Sequence, residues 1–102
     1  RQTTITPTQA LYLMNSEFVH TQAHWLAHRV AVSAPTVEER VRLFFEIGHG
    51  RQPSPEDFKA AVEFVLDYQK QLATADQSTR ESKAWSAFAR VVLTSNGFLF
   101  ID

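Results

Sequence analysis

The chain has no cysteine. That excludes a disulfide, a thiolate metal site and a cysteine nucleophile, but it does not fix the compartment, since secreted domains need not carry disulfides. Glycine is scarce, with three in 102 residues, and β-branched runs are short, so strand signals are weak. No apolar run approaches the 18 residues of a membrane-spanning helix. Charge of one sign is missing too. Ten basic and eleven acidic residues give a net charge of −1, and the arginines are scattered among acids. Neither nucleic acid nor an anionic membrane finds an electrostatic footprint here.

What is present is helix grammar. A length of 102 residues suits one small helical domain over 1–102. The chain begins at Arg1 rather than Met and is expected to be the C-terminal fragment of a larger multidomain protein. Thr6-Pro7-Thr8-Gln9 reads as a capping box with proline in the first turn, followed by Leu11, Met14 and Phe18. Asn15-Ser16 either breaks this helix, with Ser16 capping a second one, or sits inside one long helix; the break is favoured because both side chains compete with the helical backbone. Val19, Ala23, Leu26 and Val30 then share a face, with Phe18 and Trp25 on its flank.

Ser33-Ala34-Pro35 is a breaker, and Thr36 with Glu39 caps the next helix. Its buried side is expected to hold Val37, Val41, Phe44, Phe45 and Ile47, and it should end at Gly48-His49-Gly50. Ser54-Pro55-Glu56-Asp57 starts another helix, with Phe58, Ala61, Val62, Val65, Tyr68 and Leu72 as its stripe. Ala73 to Thr79 reads as a loop, and Ser78 with Glu81 as the cap of the last helix. That helix carries Trp85, Phe88, Ala89 and Val92 inward and runs to about Ser95, before Asn96-Gly97. Phe98 to Ile101 are too apolar to be solvated together. The fold expected is all-α: a compact orthogonal or up-down bundle of four to five helices, with consecutive helices antiparallel and the apolar C-terminal tail packed on the core.

Three stretches together carry a resemblance. They are Thr6 to Leu11 running into Met14-Asn15-Ser16 with Phe18-Val19; Gly50-Arg51-x-Pro53-Ser54-Pro55-Glu56; and Leu93-x-Ser95-Asn96-x-Phe98-Leu99-x-Ile101-Asp102. In order and spacing they resemble the C-terminal part of the planctomycete-specific domain-one family, domain of unknown function 1553. The resemblance implies a large exported protein of the periplasm or cell envelope. It implies a signal peptide, a cytochrome-c-like segment and a second uncharacterised domain upstream. Gly97 stands where that family more often has an acidic residue. The resemblance carries no activity over to residues of this chain.

His20, His24 and His28 are the sharpest candidates for chemistry. At i, i+4, i+8 they form one helical stripe, and neighbouring imidazoles one turn apart chelate divalent metals. A helical wheel puts them nearly opposite the apolar residues, so the stripe reads first as a solvated polar face and only second as a weak divalent metal site without a third ligand. Phe45 and Phe64 lie off the main stripes and are the candidates for an apolar interface. The acids read as caps and exposed charges, and no nucleophile elbow, phosphate loop or haem-attachment motif is present, so no catalytic or cofactor-binding residue is assigned. The expected role is a non-enzymatic structural or interaction module. Its partner would be the upstream domains of the same protein or another envelope protein. The alternative is a metal-binding or redox-assisting module built on the histidine stripe, and an enzyme completed by upstream residues remains a third reading.

Overall fold

A computed structural model describes residues 16–94. Four helices make up the bundle: α1 (Glu17–Ser33), α2 (Val37–His49), α3 (Pro55–Gln71) and α4 (Gln77–Leu93). There is no strand among the described residues. The fold is all-α, as the helix-period patterning requires. The expected helix over residues 7–15 and the apolar tail from Phe98 to Ile101 lie outside the described residues.

Each helix start follows from a short polar side chain that accepts from an otherwise unpaired backbone N–H. The Ser16 hydroxyl accepts from the Val19 N–H at 3.1 Å, so a helix does begin at Glu17. Thr36 accepts from the Glu39 N–H at 3.1 Å while its own hydroxyl donates to the Glu39 carboxylate at 2.9 Å. Ser54 accepts from the Asp57 N–H at 3.0 Å, with Pro55 in the first turn. The fourth start differs from expectation. Asp76 is the cap and accepts from the Thr79 N–H at 3.0 Å, so α4 begins at Gln77. Ser78 and Glu81 therefore lie inside α4. A carboxylate two residues earlier competes for the same role, and Arg80 fastens that turn by donating to the Ala75 carbonyl.

Helix α2 ends where its glycines suggest, at Gly48-His49-Gly50. It continues through Gly48 and His49, and Gly50 closes it in the left-handed conformation at φ 69°. At the end of α1 the chain turns extended at Ala34, as a residue before proline must. The Arg40 Nε donates to the Ala34 carbonyl at 2.8 Å and ties this corner to α2.

α4 is the central helix. Ala84, Trp85, Ala87, Phe88, Ala89, Val92 and Leu93 are all buried along it, and the other three helices all pack on it. α1 packs mainly on α4 and only lightly on α2, its neighbour in sequence. Small side chains explain that choice: Ala23 and Ala27 of α1 are buried, as are Ala84, Ala87 and Ala89 of α4, so close approach is open to these backbones. Phe44 is fully buried and stacks on Trp85, with ring centroids 5.7 Å apart. It meets Phe88 edge-on at 5.2 Å, the geometry that ring quadrupoles favour. Val30, Val41 and Val65 are the next largest side chains that are fully buried. Val37 and Ile47, expected inside, are exposed: Val37 is the first residue of α2, and Ile47 lies on the outward side of the turn whose Gly48 packs on α4.

Candidate functional site

Helices α1 and α4 run antiparallel, which lays the histidine stripe of α1 along one edge of α4. His20 sits opposite Arg90, with its Nδ1 3.5 Å from the guanidinium Nη1. His24 and His28 flank Trp25, edge-on at 5.9 and 6.5 Å between ring centroids. All three histidines are exposed. His24 and His28 line a cleft of about 200 Å³ whose opposite wall is Ser78, Ser82 and Ser86, with Glu81 beside them. The serines repeat every four residues, so they form one stripe on α4 facing the imidazoles.

The chemistry on offer is two imidazoles and three hydroxyls. The Glu81 carboxylate accepts from the Gln77 amide at 2.6 Å. Arg40, at the end of the cleft, is held by the Ala34 carbonyl and lies 5.7 Å over the Trp85 ring. Among the described residues, no group of three or more histidine, cysteine, aspartate or glutamate side chains is gathered to hold a metal ion. His20 has the guanidinium of Arg90 as its neighbour, while His24 and His28 remain side by side on the cleft wall.

Phe45 and Phe64 come together at a different place. Phe45 is 9% exposed and belongs to the core; Phe64 is 36% exposed. Both line an apolar groove of about 260 Å³ between α2, α3 and α4, with Phe88 at its floor 6.0 Å from the Phe64 ring.

Two features escape a one-face-at-a-time reading of the sequence. The serine wall is visible only once α4 is known to lie antiparallel to α1; the signal was the i, i+4 spacing of Ser78, Ser82 and Ser86. The second is the outward face of α1. Phe18, Trp25 and Val32 are 72%, 58% and 75% exposed. They are spaced seven apart, which brings a helix back to the same face with a drift of about 20° per step. The buried residues Val19, Ala23 and Val30 occupy the other side. α1 therefore carries one apolar face used in the bundle and, opposite it, three large apolar side chains left bare. Exposed polar side chains, Thr21 and Gln22 and then His28 and Arg29, fill the turns between these three, so the face is mixed rather than continuously apolar.

Several of the acids have local partners. Glu38 pairs with Arg42 at 2.8 Å, and Asp57 with Arg51 at 3.4 Å. No described helix is long and apolar enough to cross a membrane.

A family model described as PSD1, protein of unknown function (DUF1553), matches residues 1–65. The match takes in α1, α2 and the first part of α3. The closing stretch from Leu93 to Asp102 lies beyond it. No curated protein and no solved structure matches the chain.

Proposed function

The chain belongs to the PSD1 family of proteins of unknown function (DUF1553), and we propose that it is a non-enzymatic interaction module of a larger exported protein. The observation that carries the reading is the bare stripe of Phe18, Trp25 and Val32 on α1. Isolated exposed apolar residues are ordinary, but three large ones in line make a patch of the kind that marks an interface.

The size of the patch argues for its occupant. Fourteen residues of helix span about 21 Å, and one helix face is about 10 Å wide, so the whole face, polar side chains included, offers about 200 Å². A stable complex between free partners needs about 800 Å² on each side. A patch this small is held best by a segment tethered in the same polypeptide, where the effective concentration reaches the millimolar range. The occupant is an apolar helix of the larger protein. Helix-on-helix packing suits a seven-residue repeat. Export rests on the family resemblance alone.

The test places a photoreactive benzoylphenylalanine at position 25 in the full-length protein. The expected product is an internal crosslink to an apolar helix elsewhere in the same polypeptide. A crosslink to a second copy, or none, overturns the reading. Fractionation that leaves the full-length protein in the cytoplasm overturns the export part.

A second reading is a weak divalent metal site on His24 and His28. It is favoured by their placement together on the wall of the α1–α4 cleft.

A further inference from the structure

We infer that the apolar groove between α2, α3 and α4 receives residues 98–101 of this same chain. The groove is walled by Phe45 of α2, by Ala60, Ala61 and Phe64 of α3, and by Phe88 and Val91 of α4. Its one charged lining residue, Asp57, is paired with Arg51, whose guanidinium also lies 5.7 Å over the Phe45 ring. The walls thus present apolar carbon, with a neutralised ion pair at the rim.

The path of the chain fits. Val91 lies one turn before Thr94, the C-cap of α4. The groove runs beside the last turns of α4, where the chain leaves the helix. Eight residues, 95–102, follow Thr94 in the sequence. Four steps separate Thr94 from Phe98, a span of up to about 13 Å in extended chain. Asn96-Gly97 lies within those steps and is the pair best suited to a reversal, since both residues tolerate positive φ. Phe98, Leu99, Phe100 and Ile101 then supply four apolar side chains in a row.

One rival surface is also in reach. Arg90 lies beside His20, so the start of α1 and its exposed Phe18 are close to the end of α4. That face is convex and belongs to one helix. The groove encloses a ring from three helices, which removes more of its surface from water and gives it more contact atoms.

The absence of cysteine makes the test direct. One variant carries Ala60→Cys with Leu99→Cys, placing thiols in the groove and on the tail. The control carries Thr21→Cys with Leu99→Cys, probing the outward face of α1. Both helix positions are exposed, so neither substitution disturbs the core. A disulfide needs the two Cα atoms within about 7 Å of each other. The control closes a loop twice as long, which by chain statistics alone slows it about threefold. Docking in the groove predicts that the first pair oxidises more than tenfold faster than the control, well beyond that roughly threefold difference. Equal rates, or a faster control, overturn the inference. Adding Phe64→Asp to the first pair must also slow its oxidation; an unchanged rate overturns the apolar contact. Neither readout depends on the α1 stripe having a partner.

Discussion

Gly48 of α2 lies directly against Val92 of α4: a Cβ built on the glycine falls inside contact distance of Val92 Cγ1. Two residues later, Gly50 has open space around it but a φ of 69°. One glycine is therefore required by packing and the other by backbone conformation. Helix propensity alone expects Gly48→Ala to stabilise α2 by about 1 kcal/mol. The contact with Val92 reverses the sign, and the substitution should destabilise by about 1–3 kcal/mol through overpacking. Combining it with Val92→Ala should cost less than the two single losses added together. Urea unfolding of both singles and the double gives that coupling. Gly50→Ala should cost about 1–2 kcal/mol for the left-handed conformation and show no coupling to Val92→Ala.

The aromatic centre supplies the second prediction. Phe44 is fully buried between Trp85 and Phe88. Phe44→Ala leaves a cavity against two rings and should cost about 3–5 kcal/mol. Phe18→Ala removes a side chain of the same size that is 72% exposed, and should leave stability unchanged within about 0.5 kcal/mol. Similar unfolding midpoints for the two variants would refute this assignment of core and surface.

This contrast also shows why the sequence was legible in some places and not in others. Caps are local chemistry, so Ser16, Thr36 and Ser54 could be found without any tertiary information. The fourth cap was missed because Asp76 and Ser78 are both competent, and the Arg80 bond to the Ala75 carbonyl that fixes the turn joins residues five apart. Period-3.6 patterning located Val41, Phe44, Trp85 and Phe88, but it cannot tell which faces a neighbouring helix will reach. Val37 and Ile47 share the apolar character of α2 yet sit where no helix covers them. The cleft is harder still. Its histidines and serines lie fifty or more residues apart, and only the pairing of α1 with α4 makes them one surface.

The caps predict an acid limit. The Asp76 carboxyl is held below its ordinary value, chiefly by the Thr79 hydroxyl and then by the Thr79 backbone N–H. Asp57 is likewise lowered, by the Ser54 hydroxyl first, with Arg51 adding to it. A carboxyl that is more acidic folded than unfolded contributes stability above its unfolded pKa and loses it as pH falls through the folded value. Both contributions should be complete at neutral pH and fade below about pH 4. Asp76→Asn keeps a good cap but cannot titrate. Its stability should therefore fall less steeply between about pH 4 and pH 2 than that of the parent. Thermal melts across that range check the slope, and parallel curves would remove Asp76 from the explanation.

The histidine stripe gives the last prediction, and the structure divides it unequally. Arg90 places a guanidinium 3.5 Å from His20 Nδ1, and a cation there opposes a divalent ion on the same ring. His24 and His28 share the cleft wall, and Arg40 at its end is turned to the Ala34 carbonyl and the Trp85 ring. Any Zn²⁺ or Cu²⁺ held by the stripe should therefore sit on His24 and His28 and bind weakly for want of a third ligand. Calorimetric titration separates the residues. His24→Ala and His28→Ala should each abolish binding, whereas His20→Ala should leave it intact. Arg90→Gln should strengthen the pairing of His20 with His24 and make the loss of His28 tolerable. Binding that is indifferent to His24, or absent from the parent, would leave the stripe as a polar face beside a serine-lined cleft, and the metal reading would fall.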